Sequence, residues 1–304
     1  MNRKRSINWR RYLPLYLMLL PGGIYLIINN YLPMAGTVVA FKKYNFQKGI
    51  FGSEWNGLKN FIFLFKTKDA WIITRNTICY NLAFIILGTA AITVAVLLSE
   101  IKAVRARKTY QTLILLPFLV SIVVVSYIVY GFLSTEYGFV NHTLQNMGKD
   151  KISWYSNPTW WPLILILVNL WKNIGYNCVL YYATLMGIDS SYYEAAVVDG
   201  ASRWQRIRYI TLPALAPTIC ILTLMSVSKI FYSDFGLFYQ VPMNSGPLID
   251  VTNTIDTYVY RGLMETNNIG MSAAAGLYQS LVGFLLVMLA NWAVRRQNEE
   301  SALF

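Results

Sequence analysis

Charged side chains are scarce in this sequence. Only 13% of its 304 residues are Asp, Glu, Lys or Arg, while 56% are hydrophobic. A soluble domain carries about twice that charged fraction. The mean hydropathy is correspondingly high, at +0.42. The composition excludes an ordinary soluble domain and predicts a protein embedded in a membrane.

Residues that perform chemistry are also rare. The chain has one histidine and three cysteines, and the cysteines all fall within apolar runs. A metal site needs several ligands, and a disulfide framework needs more cysteines in a secreted context. The sequence contains no G-x-x-x-x-G-K-[ST] phosphate loop, so we expect this chain to bind no ATP and no other cofactor itself. These absences argue against an enzyme and indicate that any energy comes from a partner or a gradient.

Six apolar runs are long enough to cross a bilayer, which requires about 20 residues. They lie near 12–32, 77–99, 110–133, 160–184, 210–232 and 271–294. No low-complexity linker separates them. The sequence therefore predicts an all-α integral membrane protein whose residues 1–304 form a single polytopic domain.

The net charge of +12 is concentrated in the short segments between alternate runs. The basic clusters lie at 3–11, 102–108, 203–208 and 295–296. Because Lys and Arg accumulate in cytoplasmic loops, this pattern predicts that both termini lie in the cytoplasm. Nucleic-acid binding would require a basic face on a folded domain, so we expect membrane lipid and no nucleic acid as a partner.

The segment "SSYYEAAVVDGASRWQRIRYITLPALAP", between the fourth and fifth runs, has a different character. Ser191 and Glu194 have the spacing of a capping box, as do Ser202 and Gln205. Gly200 stands between the two predicted helices, where a left-handed residue ends a helix. The first helix is too short to be stable alone. Two interpretations are open: it packs on its own bundle or lies in the headgroups, or it docks on a cytoplasmic partner.

The same segment carries a family resemblance. Glu194-Ala195-Ala196, three residues, Gly200, nine residues and Ile210-Thr211-Leu212-Pro213 resemble the EAA motif of permease subunits of binding-protein-dependent ABC importers. Asp199-Gly200-Ala201 and the later Pro217 resemble the carbohydrate-uptake branch. The stretches "PGGIYLIINNYLPMAG" and "WKNIGYN" are similar to oligosaccharide permeases of that branch.

The resemblance implies a type I ABC importer permease fold, with six transmembrane helices and a cytoplasmic coupling helix (192–199) between the fourth and fifth. The EAA loop spans about 188–213, and the residues implied in ATPase coupling are Glu194, Ala195, Ala196, Asp199, Gly200, Ala201 and Arg203. The implied partners are a second, homologous permease in a heterodimer, two ATPase subunits that use ATP and Mg, and an extracellular sugar-binding lipoprotein. The implied activity is alternating-access import of an oligosaccharide across a bacterial cytoplasmic membrane. Whether two copies of this chain replace the heterodimer stays open.

Lys172 is the most informative polar residue of the predicted spans, since it lies near the middle of the fourth. A charge there is costly unless it faces the bundle interior, a cavity or a partner. It either faces the transport path, where it would suit an acidic sugar, or is satisfied by backbone carbonyls or a polar neighbour. The candidate path residues are Trp171, Lys172, Asn173, Tyr176, Asn177, Lys229, Tyr232, Asp234, Tyr278 and Gln279.

Two other classes of protein remain as alternatives. A gradient-driven secondary carrier would show an intramembrane acid and inverted repeats. A polytopic membrane enzyme would show a cluster of carboxylates or metal ligands. Neither feature is visible in the sequence, so the importer is the favoured interpretation.

Overall fold

The computed structural model describes residues 9–62 and 66–297, and most of these are helical. In chain order the main helices are α1 (Trp9–Leu26), α2 (Lys68–Gly88), α3 (Ala90–Ser99), α4 (Val104–Leu119), α5 (Ile122–Leu133), α6 (Phe139–Asn146), α7 (Trp161–Met186), α8 (Ser190–Val198), α9 (Arg203–Arg206), α10 (Leu212–Ser228), α11 (Ile255–Met264) and α12 (Ile269–Gln297). Between the first two long helical segments, β1 (Lys42–Lys43) pairs with β2 (Glu54–Trp55) in a small antiparallel ribbon.

Within the described residues, five helical segments are long and apolar enough to cross a membrane. They are Tyr12–Phe41, Lys68–Ser99, Pro158–Met186, Arg203–Ser228 and Ile269–Trp292, and we call them the first, second, fourth, fifth and sixth spans. Helices α4 and α5 pass the same test only together, and they meet at a bend of 95°; we call this bent pair the third span. We call the side of the bundle that carries residues 188–203 the inner side and the opposite side the outer side. The predicted all-α membrane fold is confirmed.

The third span differs from the predicted run at 110–133 because it begins earlier, at Val104, and is broken into two helices. Pro117 lies in the last turn of α4, and Val120 is extended, with ψ of 131°. Ser121 then begins α5, and its side chain accepts a hydrogen bond from the amide of Val124 at 3.4 Å. A proline inside a span can bend or break the helix, and here the serine cap favours a break.

Two π-helical turns interrupt the spans, at Ile27–Tyr31 and Ile207–Thr211. Each ends two residues before a proline, Pro33 or Pro213. A proline lacks the amide hydrogen that an α-helix needs and crowds the preceding turn. The widened turn satisfies the backbone in another register, since the amide of Leu212 donates to the carbonyl of Ile207. The I-x-L-P part of the EAA motif thus produces a π turn at the inner end of the fifth span.

The fourth span lies at the centre of the bundle. One side of α7 contributes Cys178, Tyr181 and Leu185 to a buried cluster with α3 and α10. Its outer end contributes Trp161 and Leu165 to a second cluster. The contact with the third span is so close that a Cβ atom on Gly175 would overlap the carbonyl group of Ile114. The fourth span is therefore locked against its neighbours along its length.

The first span is arranged in the opposite way. None of its apolar window is buried inside the chain, and its described side chains are largely exposed. It contains Pro14, Pro21 and a polar pair, Asn29 and Asn30. Another surface, lipid or protein, must therefore surround it.

The segment between the fourth and fifth spans forms the predicted helix, turn and helix, with one correction. Asp189 rather than Ser191 is the N-cap of α8, and its carboxylate accepts a hydrogen bond from the amide of Ser191 at 2.9 Å. Because α8 begins at Ser190, the predicted Ser191–Glu194 capping box is not formed. The second capping box, between Ser202 and Gln205, is present.

Candidate coupling surface and transport path

Helix α8 exposes an apolar face. Tyr192, Ala195 and Val198 are spaced three residues apart, so they lie on one side of the helix. Tyr192 is 64% exposed and Val198 is 87% exposed. Glu194 is exposed next to them. An apolar face of this kind at the end of a short helix is typical of a surface that a partner or lipid covers.

The turn after α8 is fixed by backbone hydrogen bonds. The amide of Ala201 donates to the carbonyl of Ala196 at 2.8 Å, and the amide of Gly200 donates to that of Val197 at 3.0 Å. Gly200 has φ of +78°, the left-handed conformation that a glycine adopts without strain. Asp199 and Arg203 are exposed on either side of this turn.

Charge stabilises the beginning of α8. The amide of Ser191, which donates to the Asp189 carboxylate, holds the pKa of that carboxyl below its usual value. A carboxylate at a helix N-terminus is also favoured by the helix dipole. Asp189 therefore stays ionised near neutral pH and caps the helix.

The inner side of α8 faces the bundle through Tyr193, which sequence reasoning missed. Its hydroxyl is 3.0 Å from Oγ1 of Thr211, and either atom can donate. Thr211 is buried in the π turn of the fifth span. The two residues lie 18 positions apart, so no periodicity in the sequence indicates the contact.

Lys172 lies at the break in the third span. Its Nζ donates to the carbonyl of Val120 at 2.6 Å and to that of Phe118 at 3.1 Å. The ammonium also sits 5.8 Å from the centre of the Phe118 ring. The ring of Tyr176 stacks on the ring of Phe118, and the two ring centres are 4.6 Å apart. In this structure the lysine holds the carbonyls that the broken helix leaves without amide partners.

The other fourth-span candidates point in different directions. Asn173 donates to the carbonyl of Asn169 at 3.0 Å, one turn earlier in the same helix. Trp171 is partly exposed. Asn177 lines a small groove of about 50 Å³ between the second, fourth and fifth spans. Its polar lining residues are Thr89, Asn177, Tyr181, Thr223 and Ser226.

The remaining candidates gather at the outer end of the fifth span. Gln279 is buried and donates to the carbonyl of Phe231 at 2.9 Å and to Oδ2 of Asp256 at 3.0 Å. The hydroxyl of Tyr278 is 3.3 Å from that of Thr74. Asp234 accepts from the amide of Leu237 at 3.1 Å. Lys229 and Tyr232 are exposed. The predicted path residues thus form two groups rather than one site.

Two further polar residues in the outer group were missed. Asn81 of the second span donates to the carbonyls of Ile230 and Tyr232, at 2.9 and 2.8 Å. Asp256 accepts from the amide and the hydroxyl of Ser233, at 2.6 and 2.7 Å. Asn81 is a polar residue within an apolar run, and this feature of the sequence could have indicated that its side chain binds other groups in the bundle.

The part of the chain that the structure describes contains no candidate metal site. No group of three or more His, Cys, Asp or Glu side chains lies together there.

Comparison with known proteins decides the family. Residues 89–299 match the family described as "Binding-protein-dependent transport system inner membrane component". The chain belongs to this family. It is therefore an integral membrane transport subunit rather than an enzyme, and the membership favours the importer over the gradient-driven carrier.

Relatives and a solved structure cover nearly the whole chain. A "Polygalacturonan/rhamnogalacturonan transport system permease protein YteP" of Bacillus subtilis is 34% identical over 94% of this chain and 89% of its own length. "Protein LplB" of the same organism is 32% identical over 97% of this chain and 94% of its own. A crystal structure of "a bacterial ABC transporter involved in the import of the acidic polysaccharide alginate" contains a chain with a TM-score of 0.87 and 32% identity, covering 96% of this chain and 98% of that one. A second structure of that alginate transporter, with a TM-score of 0.86, includes a "periplasmic protein" bound to an alginate pentasaccharide.

Proposed function

We propose that this chain is the permease subunit of an ATP-driven ABC importer that takes up an oligosaccharide by alternating access. The likeness to the alginate transporter over 96% of the chain carries the proposal. Two of the compared proteins are described by the polysaccharides they transport, the acidic alginate and polygalacturonan/rhamnogalacturonan. We therefore expect a sugar of several residues and place acidic sugars first among the candidates.

The apolar face of α8 is the proposed docking surface for an ATPase subunit. Tyr192, Ala195 and Val198 supply the apolar contact, and Glu194 lies at its edge. Asp199, Gly200, Ala201 and Arg203 complete the surface at the following turn. ATP and Mg would bind to two such ATPase subunits and not to this chain.

The first span supports the proposal of a second, homologous permease. Its apolar window is not buried by the rest of the chain, and its polar pair, Asn29 and Asn30, is exposed, with Asn29 donating to the carbonyl of Tyr25 at 2.9 Å. Polar side chains within a span usually face protein rather than lipid. A neighbouring permease, in a heterodimer, would cover them.

The proposed sugar path runs along the side of the fourth span that carries Asn177. The groove there presents hydroxyl and amide groups, which are the groups that bind sugar hydroxyls. The outer group around Gln279 and Tyr232 would form the entrance below an extracellular binding lipoprotein. Direct contact between Lys172 and sugar would require the lysine to leave the carbonyls of Phe118 and Val120. We place the protein in a bacterial cytoplasmic membrane with both termini inside.

The test is ATP hydrolysis by the complex in nanodiscs, assembled from co-expressed subunits. Binding protein loaded with an oligogalacturonide, an alginate oligosaccharide or a neutral maltooligosaccharide is added in turn. Stimulation of hydrolysis by loaded binding protein, with matching uptake in proteoliposomes, supports the proposal and names the sugar class. Uptake by this chain alone, without ATP, would refute it.

A matched pair of variants at Gly200 tests the docking surface. Gly200→Val places a β-branched residue at φ of +78° and should uncouple hydrolysis from uptake, although no atom lies within 4 Å of the position. Gly200→Asn should be milder, because asparagine tolerates the left-handed conformation. Equal behaviour of the two variants would show that the backbone at Gly200 is not needed for coupling.

A further inference from the structure

The inner end of the fifth span is joined to α8 twice. One connection is the main chain through residues 199–202, which passes Gly200 in a left-handed conformation. The other is the hydrogen bond between the Tyr193 hydroxyl and Oγ1 of Thr211, at 3.0 Å. We propose that the Tyr193–Thr211 bond is the positioning contact that makes α8 and the inner end of the fifth span move as one body. The inference rests on the proposed docking of α8 on an ATPase subunit.

Tyr193 occupies the side of α8 that a docked partner would leave free. Tyr192, Ala195 and Val198 are exposed, whereas Tyr193 and Ala196, three residues apart on another side, are half-buried. A partner on the exposed face and Thr211 on the inner face can therefore bind the same helix together. Force applied to the exposed face passes through the helix to Tyr193.

The main-chain connection alone joins α8 to the fifth span only at the C-terminal end of α8. Its turn is hydrogen-bonded, but most of its residues are exposed. A helix joined to its neighbour at one end can still pivot about that end. The hydrogen bond between Tyr193 and Thr211, which lie 18 positions apart, is a second attachment and removes that freedom.

Thr211 is well placed to receive the motion. It is 4% exposed and closes the π turn Ile207–Thr211, two residues before Pro213. Ile207, in the same turn, packs against the inner buried cluster. A π turn holds one residue more than an α turn, which shifts the residues beyond it by roughly 100° around the helix. The turn therefore sets which side chain of the fifth span meets α8.

The test removes the bond from each side in the assembled complex. Tyr193→Phe and Thr211→Val each delete one hydroxyl, and the double variant deletes both. Thr211→Ser keeps the hydroxyl, and Tyr209→Phe makes the same chemical change at an exposed tyrosine outside the docking surface. The readouts are retention of the ATPase subunits on purification, basal hydrolysis, hydrolysis stimulated by loaded binding protein, and sugar imported per ATP hydrolysed.

We expect Tyr193→Phe to retain the ATPase subunits and basal hydrolysis while import per ATP falls about fivefold, the effect of losing one net hydrogen bond. Thr211→Val should lower import per ATP at least as much, because it also loses the weaker contact of Thr211 Oγ1 with the carbonyl of Arg206 at 3.5 Å. The double variant should be no worse than Thr211→Val, because the Tyr193–Thr211 bond is already absent there. Thr211→Ser and Tyr209→Phe should behave as the wild type does.

Two results would overturn the inference. If Tyr193→Phe imports as much sugar per ATP as Tyr209→Phe, the bond does not transmit motion. If Tyr193→Phe loses the ATPase subunits, Tyr193 acts in docking instead. A wild-type complex that neither retains ATPase subunits nor responds to binding protein would refute the proposed function and the link with it, a result distinct from the other two.

Discussion

The fourth and fifth spans flank α8, but the chain holds them in different ways. Helix α7 of the fourth span has seven buried residues, Trp161, Leu165, Gly175, Cys178, Tyr181, Tyr182 and Leu185. Helix α10 of the fifth span has two, Leu215 and Leu224. Interior side chains resist displacement because they are close-packed. Within this chain helix α7 is therefore the more closely packed of the two, and on the proposed function we expect the fifth span to move against the fourth.

The fifth span is instead held at its ends. Asn81 and Gln279 bind the backbone carbonyls of residues 230–232 at the outer end, and Tyr193 binds Thr211 at the inner end. Between the ends it borders the groove at Asn177 and an apolar groove of about 540 Å³ at Cys220. A helix that is held at its outer end and displaced at its inner end can move as a rigid body.

The largest effect should follow from Gly175→Ala. The new Cβ would overlap the backbone of Ile114, which cannot move without shifting the third span. We expect a loss of stability of about 3 kcal/mol or more, and little folded protein in size-exclusion chromatography. Gly131→Ala is the control, since no atom lies within 4 Å of that position. Normal folding of Gly175→Ala would show that the two spans are not locked together.

Lys172→Met should have the next largest effect. It leaves the carbonyls of Phe118 and Val120 without their donor, at an expected cost of about 2 kcal/mol and a lower melting temperature of the complex. Lys229→Met, at an exposed lysine, should change stability by less than about 0.5 kcal/mol. A Lys172→Met complex with unchanged melting temperature but weakened uptake of acidic sugars alone would assign the lysine to substrate instead.

Thr184→Val tests whether the fourth and fifth spans move against each other. The hydroxyl of Thr184, in the fourth span, is 3.1 Å from that of Thr218, in the fifth. If the fifth span moves, this bond belongs to one state, and its loss of about 1 kcal/mol should shift the resting equilibrium about fivefold. Basal hydrolysis should change while import per ATP does not. A fall in import per ATP would contradict the separate roles of the Thr184 and Tyr193 contacts.

The smallest effect is expected at Asp189. Its folded-state pKa is lowered, so its stabilising contribution is present above the ordinary carboxyl pKa and is lost as pH falls through the lowered value. Asp189→Ala should speed amide exchange at the start of α8 at neutral pH. Asp189→Asn should preserve the cap and remove its acid dependence. Identical exchange in Asp189→Ala and the wild type would show that the cap does not stabilise α8.

Much of this fold was predictable, for identifiable reasons. Hydropathy located the spans because lipid demands long apolar helices, and the Ser202–Gln205 box and Gly200 marked local structure correctly. The size of the break in the third span, 95°, was not predictable, and neither was the lysine 52 residues away that binds the carbonyl of Val120. The predicted N-cap of α8, Ser191, was wrong by two residues, because Asp189 precedes it and is also a residue type that caps helices.

The candidate site was predicted less completely. The sequence placed Lys172 near the membrane centre but left open whether it serves substrate or backbone, and the distances to Phe118 and Val120 favour the backbone in this state. Asn81, Asp256 and Tyr193 were missed because their partners lie far along the chain. Such contacts are tertiary, and residue spacing carries no information about them.

The most direct test of the lever is a distance measurement on the fifth span. Spin labels at Leu167, in the fourth span, and Tyr209, in the fifth, occupy exposed positions, with Cys79, Cys178 and Cys220 replaced by alanine. Double electron–electron resonance is then recorded without nucleotide and with a trapped ATP state, in wild-type and Tyr193→Phe backgrounds. We predict that ATP shifts the distance in the wild type and that Tyr193→Phe reduces the shift. An unchanged distance in the wild type, or an equal shift in both backgrounds, would contradict the account.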